Sequence, residues 1–234
     1  MKPAGENLTE HPALTRAEID LQALAHNYRE LRRVTDPSAG IMAVVKADGY
    51  GHGATQVAQV AVDYGAKFLA VARFSEAIQL REAGITAPIL LFGYSLPVYV
   101  DYMAENNIRV SVNSLSSAKM LSAEAARAGK TLKVHIKIDT GMGRLGLLSD
   151  ELAINSDSNT GDHGDSVLKD VLSIASLPHM EVEGMFTHFA NADAMDKTHT
   201  RIQFARFTSL LKELAIAGFR PKLRHAANSA ATIE

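Results

Sequence analysis

The sequence predicts an α/β fold: a TIM-type (β/α)8 barrel, incomplete at its C-terminal end. Three observations carry this. Seven short β-rich runs alternate with stretches of helical periodicity, the pattern of βα units and a parallel sheet. No GxGxxG follows the first run, which favours a barrel over a doubly wound sheet. Four chemistry-bearing segments each fall at or just beyond the C-terminal end of an expected strand, the face on which barrels carry their chemistry.

The expected strands are Ile41–Lys46, Phe68–Val71, Ile89–Phe92, Ile108–Val112, Leu132–Ile138, Val182–Thr187 and Leu223–His225. Between them, Val57, Val60, Ala61 and Tyr64 repeat at helical spacing, as do Leu115, Ala118, Leu121 and Ala125, with Gly129 as a stop. A longer helix is expected over Phe204, Phe207, Leu211 and Leu214, closed by Gly218 and Pro221. A barrel wants eight strands, and the sequence reaches Glu234 just after the seventh. Leu14–Leu24 alternates as Ala17-Glu-Ile19-Asp-Leu21 before turning helical, so its first part could be a strand that packs on another domain. Leu148–Asp170 is rich in Ser, Asp, Asn and Gly and reads as a surface loop or insertion. Asp162-His163-Gly164-Asp165 within it matches no metal-ligand spacing, so no metal site is expected.

Composition narrows the function classes. The chain is 47% hydrophobic and 21% charged, with a net charge of -2, the profile of a globular domain without a nucleic-acid or anionic-membrane footprint. No apolar run approaches the ~18–20 residues of a membrane helix. Met1 to Pro12 lacks the order of a signal peptide, and cysteine is absent. A cytoplasmic location is therefore expected.

The first segment is Ile41-Met-Ala-Val-Val-Lys46-Ala-Asp-Gly-Tyr50-Gly-His-Gly53. A lysine at the dry end of a strand sheds its proton more readily and becomes a candidate Schiff-base nucleophile. The glycines leave backbone N–H groups free to approach an anion such as a cofactor phosphate. For a lysine and glycines alone, capping a strand at the solvent edge is the commoner role.

The second segment is Lys133-Val-His135-Ile-Lys137-Ile-Asp139-Thr-Gly-Met-Gly-Arg144-Leu-Gly146. Strand alternation puts Lys133, His135, Lys137 and Asp139 on one face. Both faces of a parallel barrel are covered, so a polar face points into something functional, whereas on an open antiparallel sheet it would meet water. Arg144, after a Gly-Met-Gly turn, is suited to gripping a carboxylate or phenolate. The third segment brings His188 to a strand end, where histidine is more often a satisfied structural residue. In the fourth, Asn228 or Ser229 is placed to cap a helix, which is either ordinary capping or a phosphate seat.

These four segments resemble corresponding stretches of the alanine racemase family, in the same order, over about Ala17 to Glu234. The match is most specific at Val45–Gly53 and Asp139–Gly146. The resemblance implies that residues 1–234 form the N-terminal barrel domain and bind pyridoxal 5'-phosphate (PLP). Lys46 would hold PLP as an internal aldimine and act as one acid/base, with Tyr50 and Ser229 on its phosphate. His188 would lie beside the pyridine ring and Asn228 near it, and Arg144 would orient the substrate carboxylate and the cofactor's phenolic oxygen. Lys137 matches a lysine that is often carbamylated in the family.

The implied enzyme is an isomerase. It would interconvert L-alanine and D-alanine, a peptidoglycan precursor, by removing and returning the Cα proton, and would act as a homodimer. The family's second base is a tyrosine of a C-terminal β-domain from the partner subunit, and an arginine facing the pyridine nitrogen lies on the eighth strand. Neither has a counterpart before Glu234. The chain therefore resembles a racemase barrel cut before it closes, and full two-base activity is not expected from these residues alone. A PLP carrier or homeostasis barrel without turnover is the alternative, although Asp139–Gly146 has no expected use there. A related barrel decarboxylase of basic amino acids would call for a cysteine that this chain lacks.

Overall fold

The computed structural model describes residues 17–149 and 167–234. Helix α1 (Leu21–Val34) precedes strand β1 (Met42–Val44), which runs into α2 (Lys46–Gly51) and α3 (Ala54–Asp63). There follow β2 (Phe68–Val71), α4 (Phe74–Glu82), β3 (Ile89–Leu91), α5 (Val100–Glu105), β4 (Ile108–Val112), α6 (Leu115–Ala128) and β5 (Leu132–Asp139). After the short β6 (Leu147–Leu148) come α7 (Val167–Ala175), β7 (Met180–Phe186), α8 (Thr198–Ile216), β8 (Leu223–His225) and α9 (Ser229–Ile233).

Every strand pairing is parallel, in the order β1-β2-β3-β4-β5-β7-β8, with β6 beside the end of β5. The seven strands on this path are the seven expected runs, each end within two residues. Among the described residues no strand bridges β1 and β8, so the molecule is an incomplete (β/α)8 barrel.

The curl of the sheet is visible in its inner contacts. Phe68 on β2 and His135 on β5 have ring centroids 6.0 Å apart. In a flat sheet, three strand spacings would separate them by about 14 Å. Arg109 on β4 likewise reaches Glu183 on β7, two strands away, at 2.8 Å. The outward face is apolar: Leu69, Leu91, Val110, Ile136 and Ile138 join the helices in one buried core. At the lower rim, Arg81 donates to the carbonyls of Ile85, Ala87 and Asn106 at 2.6–2.9 Å, tying α4 to the loops that enter β3 and β4.

Inside, the sheet is polar. The register of β5 against β7 slips between Val134 and His135, so Val182 and Gly184 are partnered and Glu183 is the extra residue of a bulge. The bulge aims Glu183 inward, where its carboxylate accepts from Arg109 and meets His135 Nε2 at 3.3 Å. His135 Nδ1 in turn lies 2.8 Å from His225 Nε2. The result is a chain Arg109–Glu183–His135–His225. The hydrogen bond from His135, followed by Arg109, holds the Glu183 carboxyl far below the ordinary glutamate range despite burial. Burial, aided by His135, pushes His225 down to about 3, so it is neutral at neutral pH.

Three sequence expectations change. Residues 17–20 form no strand; Asp20 instead caps α1, accepting from Gln22 and Ala23 N–H at 2.8 and 3.1 Å. Within the expected Leu148–Asp170 loop, Leu148 pairs with Asp139 and Val167 opens α7. Asp162–Asp165 lies outside the described residues. The buried stripe of α8 is Gln203, Phe207, Leu210 and Leu214, while Phe204 is 55% exposed. The helix is turned toward two polar loops, and this turns Phe204 out.

Gly184 has no room for a side chain, because a Cβ there would stand 2.7 Å from the His135 ring. Gly184→Ala is expected to cost about 1–3 kcal/mol of stability, read by urea unfolding. The polar chain also sets a pH dependence. His225 has a folded pKa below its unfolded one, so its contribution is complete above about 6.5 and is lost as pH falls toward 3. Glu183 adds a loss of the same sign from about 4.5 downward. Unfolding free energy should fall by about 1.4 kcal/mol per pH unit while His225 alone titrates, and His225→Gln should flatten that slope.

Candidate active site

The end of β1 is built around an unusual turn. Ala47, Asp48, Gly49 and Tyr50 all adopt left-handed helical angles, with φ of 52–60°. Three of these four are not glycine, and each costs about 1–2 kcal/mol in this conformation. Bonds on both sides hold the turn. Gly49 N–H donates to Val45 O and Gly53 N–H to Asp48 O, both at 2.9 Å, while Asp48 Oδ1 accepts from Ala54 N–H at 2.8 Å. Glu76 of α4 clamps it from outside, with Oε1 accepting from Ala47 N–H and Oε2 from Ala72 N–H, both at 2.7 Å. The expectation of free glycine amides is corrected at Gly49 and Gly53, whose N–H groups the turn consumes. Lys46 leads into the turn, with its Nζ 5.7 Å from the centre of the Tyr50 ring. Tyr50 itself is 59% exposed.

The end of β5 is shaped by Asp139. Its Oδ1 accepts from the N–H groups of Gly141, Met142 and Gly143, and its Oδ2 from Arg144 N–H, at 2.8–3.2 Å. Burial pushes this carboxyl up, but the four amides outweigh it and hold it below the ordinary aspartate range. This turn presents the exposed Arg144. Lys137, 4% exposed, lies one step inward with its Nζ 5.7 Å from the Phe186 ring. Burial lowers the Lys137 pKa, and Arg144 and Lys46 lower it further against the opposite pull of Asp139. His188, just beyond β7, is lowered by burial and then by Arg144, Lys137 and Lys46.

The structure thus brings Lys46, Lys137, Arg144 and His188 into one electrostatic cluster at the C-terminal ends of β1, β5 and β7. Asp139, the carboxylate among them, already spends its oxygens on four amides. Such a cluster suits an anionic ligand, and the buried, deprotonation-prone amine of Lys137 adds reactivity toward electrophiles. The remaining residues of the polar face have other uses. His135 belongs to the buried chain, and Lys133 Nζ stands 3.8 Å from Glu183 Oε1. Asn228 caps α9, accepting from Ala231 N–H at 3.0 Å. Ser229 faces solvent beside Asn27, Leu31 and Val34, in a pocket formed with α1. Among the described residues, no hydrogen bond or ion pair joins Asn228 or Ser229 to the cationic cluster.

Sequence reasoning missed Glu76 and Gln203. Glu76 had a local signal, since an acidic residue in the first turn of a helix beside a strand end is placed to accept loop amides. Glu76→Ala is expected to lower stability by about 1–3 kcal/mol and to speed amide exchange at Ala47. Unchanged exchange there would mean that the turn holds itself.

Residues 19–234 match the family described as "Alanine racemase, N-terminal domain". The chain is 45% identical over 218 residues to an alanine racemase of Methanococcus maripaludis, covering 93% of this chain and 55% of that protein. It is 46% identical over 223 residues to one from Desulfosudis oleivorans, at 93% and 54% coverage. Among solved structures, the alanine racemase of Clostridium difficile 630 superposes with a TM-score of 0.83 at 33% identity, over 92% of this chain and 56% of that one. That of Bacillus anthracis with bound L-Ala-P gives a TM-score of 0.77 at 35% identity, covering 92% and 52%. The chain therefore spans about half the length of the relatives it matches. By this match over most of its length, the chain belongs to the alanine racemase N-terminal domain family.

Proposed function

We propose that this chain is the cofactor-binding barrel of a PLP-dependent alanine racemase, an isomerase that interconverts L-alanine and D-alanine. The observation that carries this reading is the cluster of Lys46, Lys137, Arg144 and His188, whose positive charge among the described residues exceeds what Asp139 can answer. The donor set fits pyridoxal phosphate: a primary amine for the aldehyde, cations for the negative charge, and an aromatic and imidazole wall from Phe186 and His188. Tyr50 and Ser229 are the proposed phosphate contacts, with Asn228 near the ring. Bound pyridoxal phosphate supplies the electron sink that acidifies the Cα proton of an amino acid linked to it.

The chain's own residues divide the remaining work. Lys46 anchors the cofactor and, once freed by the substrate amine, holds or returns a proton on one face of Cα. Arg144 offers a planar fork to the substrate carboxylate. His188, whose pKa burial lowers and its cationic neighbours lower further, would lie beside the cofactor ring as a weakly basic imidazole. Lys137 and Arg144 repel as cations. Carbamylation of Lys137, which needs the neutral amine that burial favours, turns this repulsion into an attraction that steadies Arg144. Racemisation also needs a proton-transfer group on the opposite face. That group is proposed to come from the part of the relatives' length that this chain does not span, as is the homodimer.

Incubation of the purified chain with pyridoxal phosphate should give the absorbance of a lysine-linked cofactor, and borohydride should fix it on the peptide that contains Lys46. Lys46→Ala should abolish both signals. A coloured, reducible adduct persisting at full yield in that variant would overturn the assignment.

A further inference from the structure

Arg144 and His188 stand on separate loops, beyond β5 and β7. Asp139 holds the Arg144 loop within itself but does not tie it to the His188 loop, yet the proposed chemistry needs the guanidinium and the imidazole at a fixed separation. Between the loops lies the side chain of Gln203, in the second turn of α8. It is 0% exposed, on a helix whose neighbouring Ile202 and Phe204 face solvent. Its Oε1 accepts from Ala190 N–H at 2.9 Å and its Nε2 donates to His188 O at 3.1 Å, so the loop is held at His188 and again two residues beyond it. The second Nε2 proton points to Thr140 Oγ1 at 3.4 Å, on the loop that leads to Arg144. The orientation of the carboxamide is forced, because Ala190 N–H can only donate and His188 C=O can only accept.

The rest of the α8 entry works in the same direction. Arg206 donates to Thr140 O at 3.1 Å, and His199 Nε2 lies 3.2 Å from Gly141 O. Directly between the loops, Thr140 and Thr187 share a hydroxyl bond of 2.7 Å. A buried carboxamide costs desolvation that a leucine or methionine at this position would avoid. What it gains is a defined geometry between two loops.

We propose that Gln203 is a positioning residue that fixes the His188 loop against the Arg144 loop and so sets the geometry of the active site. The Cα-exchange readout rests on the racemase reading above, whereas the imidazole readout does not. The test compares Gln203→Met with Leu214→Ala, a buried core change further along the same helix. In each protein the His188 imidazole is titrated by NMR, assigned with His188→Gln, and exchange of the alanine Cα proton with solvent deuterium, which needs only the Lys46 face, is measured in the PLP-loaded chain.

Gln203→Met should let His188 titrate at higher pH, because a released loop returns the imidazole to water and moves it out of the field of Arg144, Lys137 and Lys46. The lysine-linked cofactor absorbance should be kept, and kcat should fall about tenfold or more with a smaller change in KM. Leu214→Ala should lower the melting temperature while leaving the His188 titration and kcat in place. If Gln203→Met lowers only the melting temperature, as Leu214→Ala does, the proposal is overturned. A shifted His188 titration in a protein that forms no lysine-linked cofactor and never exchanges the alanine Cα proton would uphold the clamp and sink the racemase reading alone. Should Gln203→Met fail to fold, the wild-type side-chain amide decides. Gln203 Nε2 protons protected from exchange support the clamp, and exchange at the rate of exposed glutamines refutes it.

Discussion

A parallel sheet that curls on itself hides both faces from water, and a polar group on its inner face then costs desolvation unless it finds a partner inside the molecule. In this chain Arg109, Glu183, His135 and His225 answer one another, joining β4, β5, β7 and β8 across the interior, whereas the buried Ser111 hydroxyl of β4 finds no partner among the described residues. One carboxylate, one guanidinium and two imidazoles satisfy one another with no net charge beyond what the histidines carry. The bulge that aims Glu183 inward and the glycine that makes room for His135 are both fitted to this chain. Removing one member would strand the others, since a buried polar group without a partner costs far more than the bond itself contributes.

Toward the C-terminal ends of the strands the balance is reversed. Lys46, Lys137, Arg144 and His188 converge, and each lies in the field of like charges. Neutrality below and unanswered charge above give the barrel a polarity along its axis. That asymmetry separates the region that holds the sheet together from the region that can take an anionic ligand. It also explains why alternation along β5 alone could not sort its residues. Lys133, His135, Lys137 and Asp139 share one face, yet Lys137 is the one cation of that face that enters the cationic cluster, and it makes no side-chain hydrogen bond among the described residues.

The loops that carry the cluster are held by acceptors and donors from elsewhere in the chain. Glu76 reaches from α4 to the turn after Lys46, Asp139 gathers four amides under Arg144, and Gln203 reaches from α8 to the loops of Thr140 and His188. The left-handed turn at Ala47–Tyr50 is the costliest of these features. It persists because bonds at both its ends and at Glu76 over-determine it, the usual setting in which strain is kept at a functional site.

The sequence by itself determined the seven strands, their order of appearance and the identity of the cationic residues. Each of these rests on local pattern: apolar runs of strand length, helical repeats closed by Gly129 or Gly218, and Gly-rich segments after Lys46 and before Arg144. The family resemblance was legible for the same reason, since it resides in contiguous motifs. Only the tertiary structure decided which polar residues serve the site and which serve the fold. His135 acquires its role from Glu183 and His225, 48 and 90 positions away. Gln203 lies next to the expected apolar stripe and carries no signal of its own in the sequence; it is a buried clasp because α8 turns toward two loops whose backbone groups need a donor and an acceptor at once. Such assignments depend on which distant atoms the curl of the sheet brings within three ångströms, and spacing along the chain does not encode that distance.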